Sequence, residues 1–255
     1  KVGAMLSGVY TGGTVNLAAL KAMLNVPEET FILVNSCDML VSFIYLTFLM
    51  AVGIKLFRRI LPTEASTAPA AAEAQEEKVS SHIKDMLVLI ATDAVIIGIS
   101  AGLGILAGDA WFMTVLILML TTLGIAASFL SAVRKRPQGY GMGFYCICVF
   151  SVVVASMADF SKLDLSGSLN TLLYLTFVIF ISLLIQLLLA RILKIDADTT
   201  VISSVTYICS PPFVPMMAMS MKNRNVIAPG LAIGVVGYAA GNYIGFLTAQ
   251  LLQLL

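Results

Sequence analysis

The sequence predicts an all-α, polytopic membrane helix bundle with two discontinuous helices, and three observations lead there. Of 255 residues, 59% are hydrophobic and only 11% charged, against roughly 25% charged in soluble domains. Mean hydropathy is +0.98. Apolar runs recur along the chain, each near the ~20 residues that a helix needs to cross a ~30 Å hydrocarbon core. Two of these runs carry helix breakers near their middles, "VYTGGTVN" at Gly12 and Gly13 and "ICSPPFVP" at Ser210, Pro211 and Pro212.

In chain order the predicted spans are 2–24, 30–54, 84–107, 111–133, 140–160, 168–190, 200–221 and 227–254. The sequence opens at Lys1 without an initiator Met and is read as part of a longer chain. Between the second and third spans, residues 62–82 ("PTEASTAPAAAEAQEEKVSSH") are rich in Ala, Glu, Ser and Pro with no apolar period, as in a flexible cytoplasmic linker. Basic residues cluster at Lys55, Arg58 and Arg59, at Arg134 to Arg136, and at Arg191 and Lys194. The positive-inside rule places all three clusters in the cytoplasm, which puts the turns at Asp109, Lys162 to Asp164 and Lys222 to Arg224 outside. The expected location is a bacterial-type inner membrane, crossed many times.

In the first interrupted span, Gly12 and Gly13 each cost about 1 kcal/mol against alanine in a helix. Thr11, Thr14 and Asn16 flank them with side chains able to bond main-chain groups. In the second, Pro211 and Pro212 remove the hydrogen bonds that the Tyr207 and Ile208 carbonyls would receive. Ser210 is placed to cap a helix restarting at Pro211, a scheme that Pro215 fits poorly. Unwound backbone survives at mid-membrane only where protein buries it or it lines a polar cavity. A half-helix N-terminus suits an anion or carboxylate, and freed carbonyls suit Na⁺. Paired interrupted spans are the sequence signature of a secondary-transporter site.

The span after the first break carries Asn35, Asp38, Ser42 and Tyr45 at intervals of three and four, on one helix face. An acid at that depth is a functional group by default; the alternative is a neutral Asp38 bonded to Asn35 and a neighbouring helix. The span after the second break offers Tyr238 and Asn242 on one face. Asp93 is a weaker relay candidate, and Asp159 is read as interfacial. The closing span carries Gly230, Gly234, Gly237, Gly241 and Gly245, and span 84–107 carries Gly98, Gly102, Gly104 and Gly108. Small residues at such spacing let helices approach closely in lipid, so the last span is expected to pack on another helix.

Several chemistries lack their residues. Net charge is +1, so no basic surface awaits nucleic acid. Cys37, Cys146, Cys148 and Cys209 lie in apolar runs without the paired spacing of a zinc site, and the one histidine, His82, lies in the linker. An intramembrane aspartyl protease would need a Gly-x-Gly-Asp signature where "LAGD" stands at a helix end. The expectation is therefore a non-enzyme without a cofactor other than Na⁺.

At "YTGGTVNLAAL", the Asn35–Asp38 span, "SPPFVP" and "APGLAIGVVGYAAGNYIG", the sequence resembles the membrane family numbered 819 among domains of unknown function. The resemblance covers nearly the whole chain outside the linker. That family is grouped with the cation:proton antiporter and anion transporter superfamily, which includes bile-acid sodium symporters. The resemblance implies an inverted-repeat transporter fold: 1–61 as the end of the first repeat, 62–82 as the linker and 83–255 as the second repeat with about six spans. Members are longer at the N-terminus, so the resemblance implies earlier helices of the first repeat preceding those read here.

It further implies ion-coupled transport of a small solute by elevator-like movement. Thr11 to Asn16 and Ser210 to Pro212 would then be the crossing points, and Asn35, Asp38 and Asn242 ion or substrate ligands, with Na⁺ held at Asn16, Asn35, Asp38 and Asn242. The partners expected are the bilayer and a small solute, with a homodimer compatible. A channel, a non-transporting scaffold and an intramembrane enzyme are the competing classes. One conflict stands: with the linker inside, spans 2–24 and 200–221 both run outward, whereas inverted repeats require opposite directions.

Overall fold

The structure, a computed structural model, describes residues 1–62, 83–136, 138–157 and 165–254. The linker from Thr63 to His82, the turn Lys162 to Asp164 and Asp159 lie outside the described residues.

The first interrupted segment does not cross the membrane. Helix α1 (Val2–Gly12) ends at Gly13, whose φ of 98° no other residue adopts cheaply, and α2 (Thr14–Met23) departs from it. The two run antiparallel. The Lys1 ammonium donates to the carbonyl of Asn25 at 3.2 Å, and a side chain at Gly8 would collide with that of Leu20. Limbs of 11 and 10 residues reach roughly 16 and 15 Å, about half a hydrocarbon core. This is a re-entrant hairpin, its mouth at Lys1 and Asn25 and its tip at Gly13.

From that mouth one long apolar helix crosses, Glu28–Ile60. It comprises α3 (Glu28–Phe48), a π-helical turn (Leu49–Gly53) and α4 (Ile54–Ile60). Glu28 and Glu29 lie in its first turn and Arg58 and Arg59 in its last, each sign at the end that the helix dipole favours. Helices α5 (Ile83–Ala107), α6 (Phe112–Ser128), the short α7 (Ser131–Arg134), α8 (Gln138–Ser156) and α9 (Leu165–Leu193) follow. Arg136, beyond α7, donates to Asp85 at the start of α5 at 2.9 Å, so α5 and α6 go out and return.

The second interrupted segment is also a re-entrant hairpin. Helix α10 (Ala197–Ile208) ends at Cys209; Ser210, at φ 83°, leads into a 3₁₀ turn (Pro211–Phe213) and α11 (Val214–Met221) comes back. Asn223 beyond α11 donates to Asp198 in the first turn of α10 at 2.9 Å. Arg58 ties both ends, giving Asp198 two hydrogen bonds at 2.8 and 2.9 Å and the Met221 carbonyl one at 2.8 Å. Burial alone would raise the Asp198 carboxyl, but the bonds from Arg58 and Asn223 hold it below its usual value. Ser210 makes no side-chain cap, correcting the expected restart. Pro215 falls in the first turn of α11, where a missing N–H costs nothing.

Two corrections follow. The mouths lie at opposite ends of Glu28–Ile60, so the hairpins enter from opposite faces, and the parity conflict disappears because neither segment crosses. Lys222 and Arg224 lie at the Arg58 end of the bundle, on the same side as that basic cluster rather than opposite it as expected.

Helix α12 (Ile227–Leu254) binds the two hairpins together. A Cβ at Gly230 would stand 3.0 Å from Val214 Cγ1 in the second hairpin, and one at Gly234 would stand 2.9 Å from Pro211 Cβ at its tip. At Gly237 it would fall on the Thr11 carbonyl of the first hairpin, and at Gly241 it would stand 3.0 Å from the Gly8 carbonyl. The glycine face thus packs as expected. The stripe on α5 differs: Gly98 and Gly102 meet nothing within 4 Å among the described residues, and Gly104 meets the ring of Phe112.

Three outcomes test this architecture. In a cysteine-free background, Asn25→Cys and Asn223→Cys should react with an impermeant maleimide from opposite faces of the membrane, with Asn223 on the side of Arg59→Cys. Gly237→Ala should destabilise the protein by about 1–3 kcal/mol, because a main-chain carbonyl cannot yield. Gly98→Ala should be neutral or stabilising by up to about 1 kcal/mol, both read as unfolding in detergent.

Candidate functional site

The two tips meet. A Cβ on Gly13 would stand 2.6 Å from Ser210 Oγ, 3.4 Å from Ser210 Cβ and 3.2 Å from the ring of Tyr238 on α12. The segments Thr11 to Asn16 and Ser210 to Pro212 are therefore neighbours, each terminating two half-helices at the same depth.

Around Asn16 the packing is close and polar. Its amide nitrogen donates to the Tyr238 carbonyl at 3.1 Å and to Asn242 Oδ1 at 3.0 Å. Asn242 in turn donates to Thr121 Oγ1 of α6 at 3.2 Å. Asn16 Oδ1 is buried without a hydrogen-bond partner. Glycine is required opposite it: a Cβ on Gly12 would stand 2.7 Å from Asn16 Cγ and 2.6 Å from the Gly237 carbonyl. Thr11 turns its hydroxyl back to the Ser7 carbonyl, within its own helix.

Asp38 lies about 15 Å along α3 from Glu28, near mid-membrane. It is 5% exposed. Tyr10, three residues before the first tip, donates to its Oδ1 at 2.7 Å. Its Oδ2 has no partner among the described residues. Asp38 borders a cavity of about 540 Å³ that also touches both tips, at Thr14 and Val15 on one and at Cys209, Ser210 and Pro212 on the other. Ser42 and Tyr238 complete its polar side, and Ser42 Oγ is buried without a partner. The rest of the lining is apolar and comes from α8, through Ile147, Phe150, Val152 and Val154, from Phe43 and Leu46 of α3, and from Phe213 beside the second tip.

The residues nominated as cation ligands fall into three groups. Asn16 and Asn242 are bonded to each other, Asp38 pairs with Tyr10, and Asn35 donates to the Val154 carbonyl of α8 at 3.4 Å. Asn35, Asp38 and Tyr45 share a face of α3 but serve different neighbours, since Tyr45 hydrogen-bonds Ser204 of α10. Asp93 is exposed on α5 and does not border the cavity. Sequence reasoning missed Tyr10, whose hydroxyl is the direct partner of Asp38, and Thr121, which holds Asn242. It also missed the Arg58–Asp198 clamp. Only Asp198 carried a signal, as an acid next to a helix start facing a conspicuous basic cluster.

The chain belongs to the family described as "Protein of unknown function (DUF819)", whose model matches residues 1–255. It is similar to the uncharacterized membrane protein YjcL of Bacillus subtilis (strain 168), with 23% identity over 263 residues, covering 96% of this chain. The chain spans 66% of the length of that relative. No solved structure matches it. The chain is thus a multi-pass membrane protein of a recognised family.

Proposed function

We propose that the protein is an ion-coupled secondary transporter, moving a small solute with Na⁺ or H⁺ through the place where the hairpin tips meet. One observation carries this reading: two re-entrant hairpins from opposite faces end beside one cavity at mid-membrane, next to a buried carboxyl. Interrupted helix ends and intramembrane acids are both costly in lipid, and substrate or ion sites are where membrane proteins retain them.

The order of elements supports an inverted repeat. A hairpin followed by a crossing helix occurs twice, as α1–α2 with Glu28–Ile60 and as α10–α11 with α12, and the two hairpin mouths lie at opposite ends of the bundle. Four oxygens without a partner among the described residues are open to a coupling cation, Asp38 Oδ2, Asn16 Oδ1, Asn35 Oδ1 and Ser42 Oγ, and of these Asp38 and Ser42 border the cavity. The hairpins and α12 form one unit interlocked at backbone distance, and α3 joins it at the site through the Tyr10–Asp38 bond. Helix α8 adds apolar side chains to the cavity lining and meets α3 through the long Asn35–Val154 bond. Such an apolar contact lets the interlocked unit slide as a body and present the cavity to either face, the elevator-like step of alternating access.

In proteoliposomes, solute uptake should rise when an inward Na⁺ or proton gradient is imposed and collapse with an ionophore. Asp38→Asn should lower the gradient-driven rate roughly tenfold or more, the equivalent of one lost charge-assisted contact. Uptake no faster than in protein-free liposomes, for every solute and gradient tried, would remove the transporter reading.

A further inference from the structure

We infer that the transported solute is an organic zwitterion with an apolar body, its ammonium at Asp38 and its carboxylate at the start of α2. This inference rests on the transport reading above and names the solute class for that site.

The first observation is an unfilled helix start. Helix α2 has 10 residues, and its N-cap is Gly13, which has no side chain to bond the first amides. The N–H groups of Thr14 and Val15 have no carbonyl one turn back to accept them, and both residues border the cavity. Orphan amides and the positive end of the helix dipole together favour an anionic oxygen.

The second observation is independent of the first. Asp38 reaches the same cavity from α3, 95% buried, with Oδ1 taken by Tyr10 and Oδ2 without a partner. The neighbouring tip adds acceptors, because Pro212 cannot donate to the carbonyl of Ile208, which also borders the cavity. This side of the cavity suits a cation with several N–H groups.

Charge balance selects among solutes. Among the described residues no Lys, Arg or His borders the cavity, so a dianion would lie there without a counter-charge, at prohibitive cost. An organic cation would satisfy Asp38 and leave the α2 amides bare, and a lone carboxylate would do the reverse. A zwitterion satisfies both ends and crosses with no net charge of its own. Its body must be apolar, because most of the remaining lining is, including Phe43 and Leu46 of α3, Phe150 and Val154 of α8 and Phe213 beside the second tip. A cavity of about 540 Å³ accommodates a side chain up to aromatic size, within the range usual for small-molecule sites. The ammonium occupies Asp38 in this arrangement, which leaves the unpartnered oxygens of Ser42, Asn16 and Asn35 for the coupling cation.

The test is binding of three matched probes to the full chain in nanodiscs, by calorimetry: L-phenylalanine, phenethylamine with the ammonium alone, and 3-phenylpropionate with the carboxylate alone. L-Phenylalanine should bind roughly tenfold or more tighter than either single-headed probe. Asp38→Asn should bring L-phenylalanine down to the level of 3-phenylpropionate and leave the latter within about twofold, a pattern that a merely structural role would not produce. Should that variant fail to fold, the comparison on the unaltered protein decides alone. Equal binding of a single-headed probe overturns the inference. So does failure of L-phenylalanine and L-leucine to bind while another solute is taken up under a gradient, an outcome that spares the transport reading; absence of gradient-driven uptake of any solute would instead remove that reading.

Discussion

Main-chain groups at the ends of a helix must find partners, and lipid supplies none. In this protein four half-helix ends lie at mid-membrane, and the fold is arranged around keeping them from the acyl chains. The tips are set against each other at Gly13 and Ser210, and both lie against α12, whose glycine face brings its backbone up to the Thr11 and Gly8 carbonyls. With side chains at Gly237 or Gly241 the approach would be blocked, the tips would part from α12, and their peptide groups would lose the burial that makes them tolerable.

The candidate site follows from that arrangement. Because the first hairpin ends at mid-depth, Tyr10 arrives level with Asp38 and binds one of its oxygens. Because the second hairpin comes from the other face, Cys209 and Ser210 arrive at the same cavity. The two mouths are held differently. Arg58 clamps the second through Asp198 and Met221, with Asn223 closing the ring. The first is held by Lys1 on the Asn25 carbonyl and by the exposed Lys21–Glu28 pair, a contact of the kind worth at most about 1 kcal/mol.

Much of this was legible in the sequence. Hydropathy gave the six long helices expected over 30–54, 84–107, 111–133, 140–160, 168–190 and 227–254, the breakers gave both tips, and the glycine spacing gave the face of α12. The re-entrant geometry was not legible from length, because a hairpin of two half-span limbs, such as Val2–Met23, has the same number of apolar residues as one crossing helix. The directional conflict between the interrupted segments was its trace, and placing Lys222 and Arg224 outside was its consequence. Tyr10 and Thr121 escaped because a hydroxyl on an apolar helix has no pattern until its neighbour across space is known. The shared face of Asn35, Asp38 and Tyr45 was read correctly as a face, yet a helix in a bundle has several neighbours and its polar residues divide among them.

The meeting of the tips is best measured by a single cross-link. In a cysteine-free background, Gly13→Cys together with Ser210→Cys places two sulfurs on Cβ positions 3.4 Å apart, close to the ~3.5–4.5 Å of a disulfide, with residue 13 held at a φ of 98° that costs a side chain about 1–2 kcal/mol. Mild oxidation of membranes should join the pair in high yield within one chain, and neither single variant should shift. Two free thiols under the same oxidation, in protein that still folds and labels at both positions, would contradict the account.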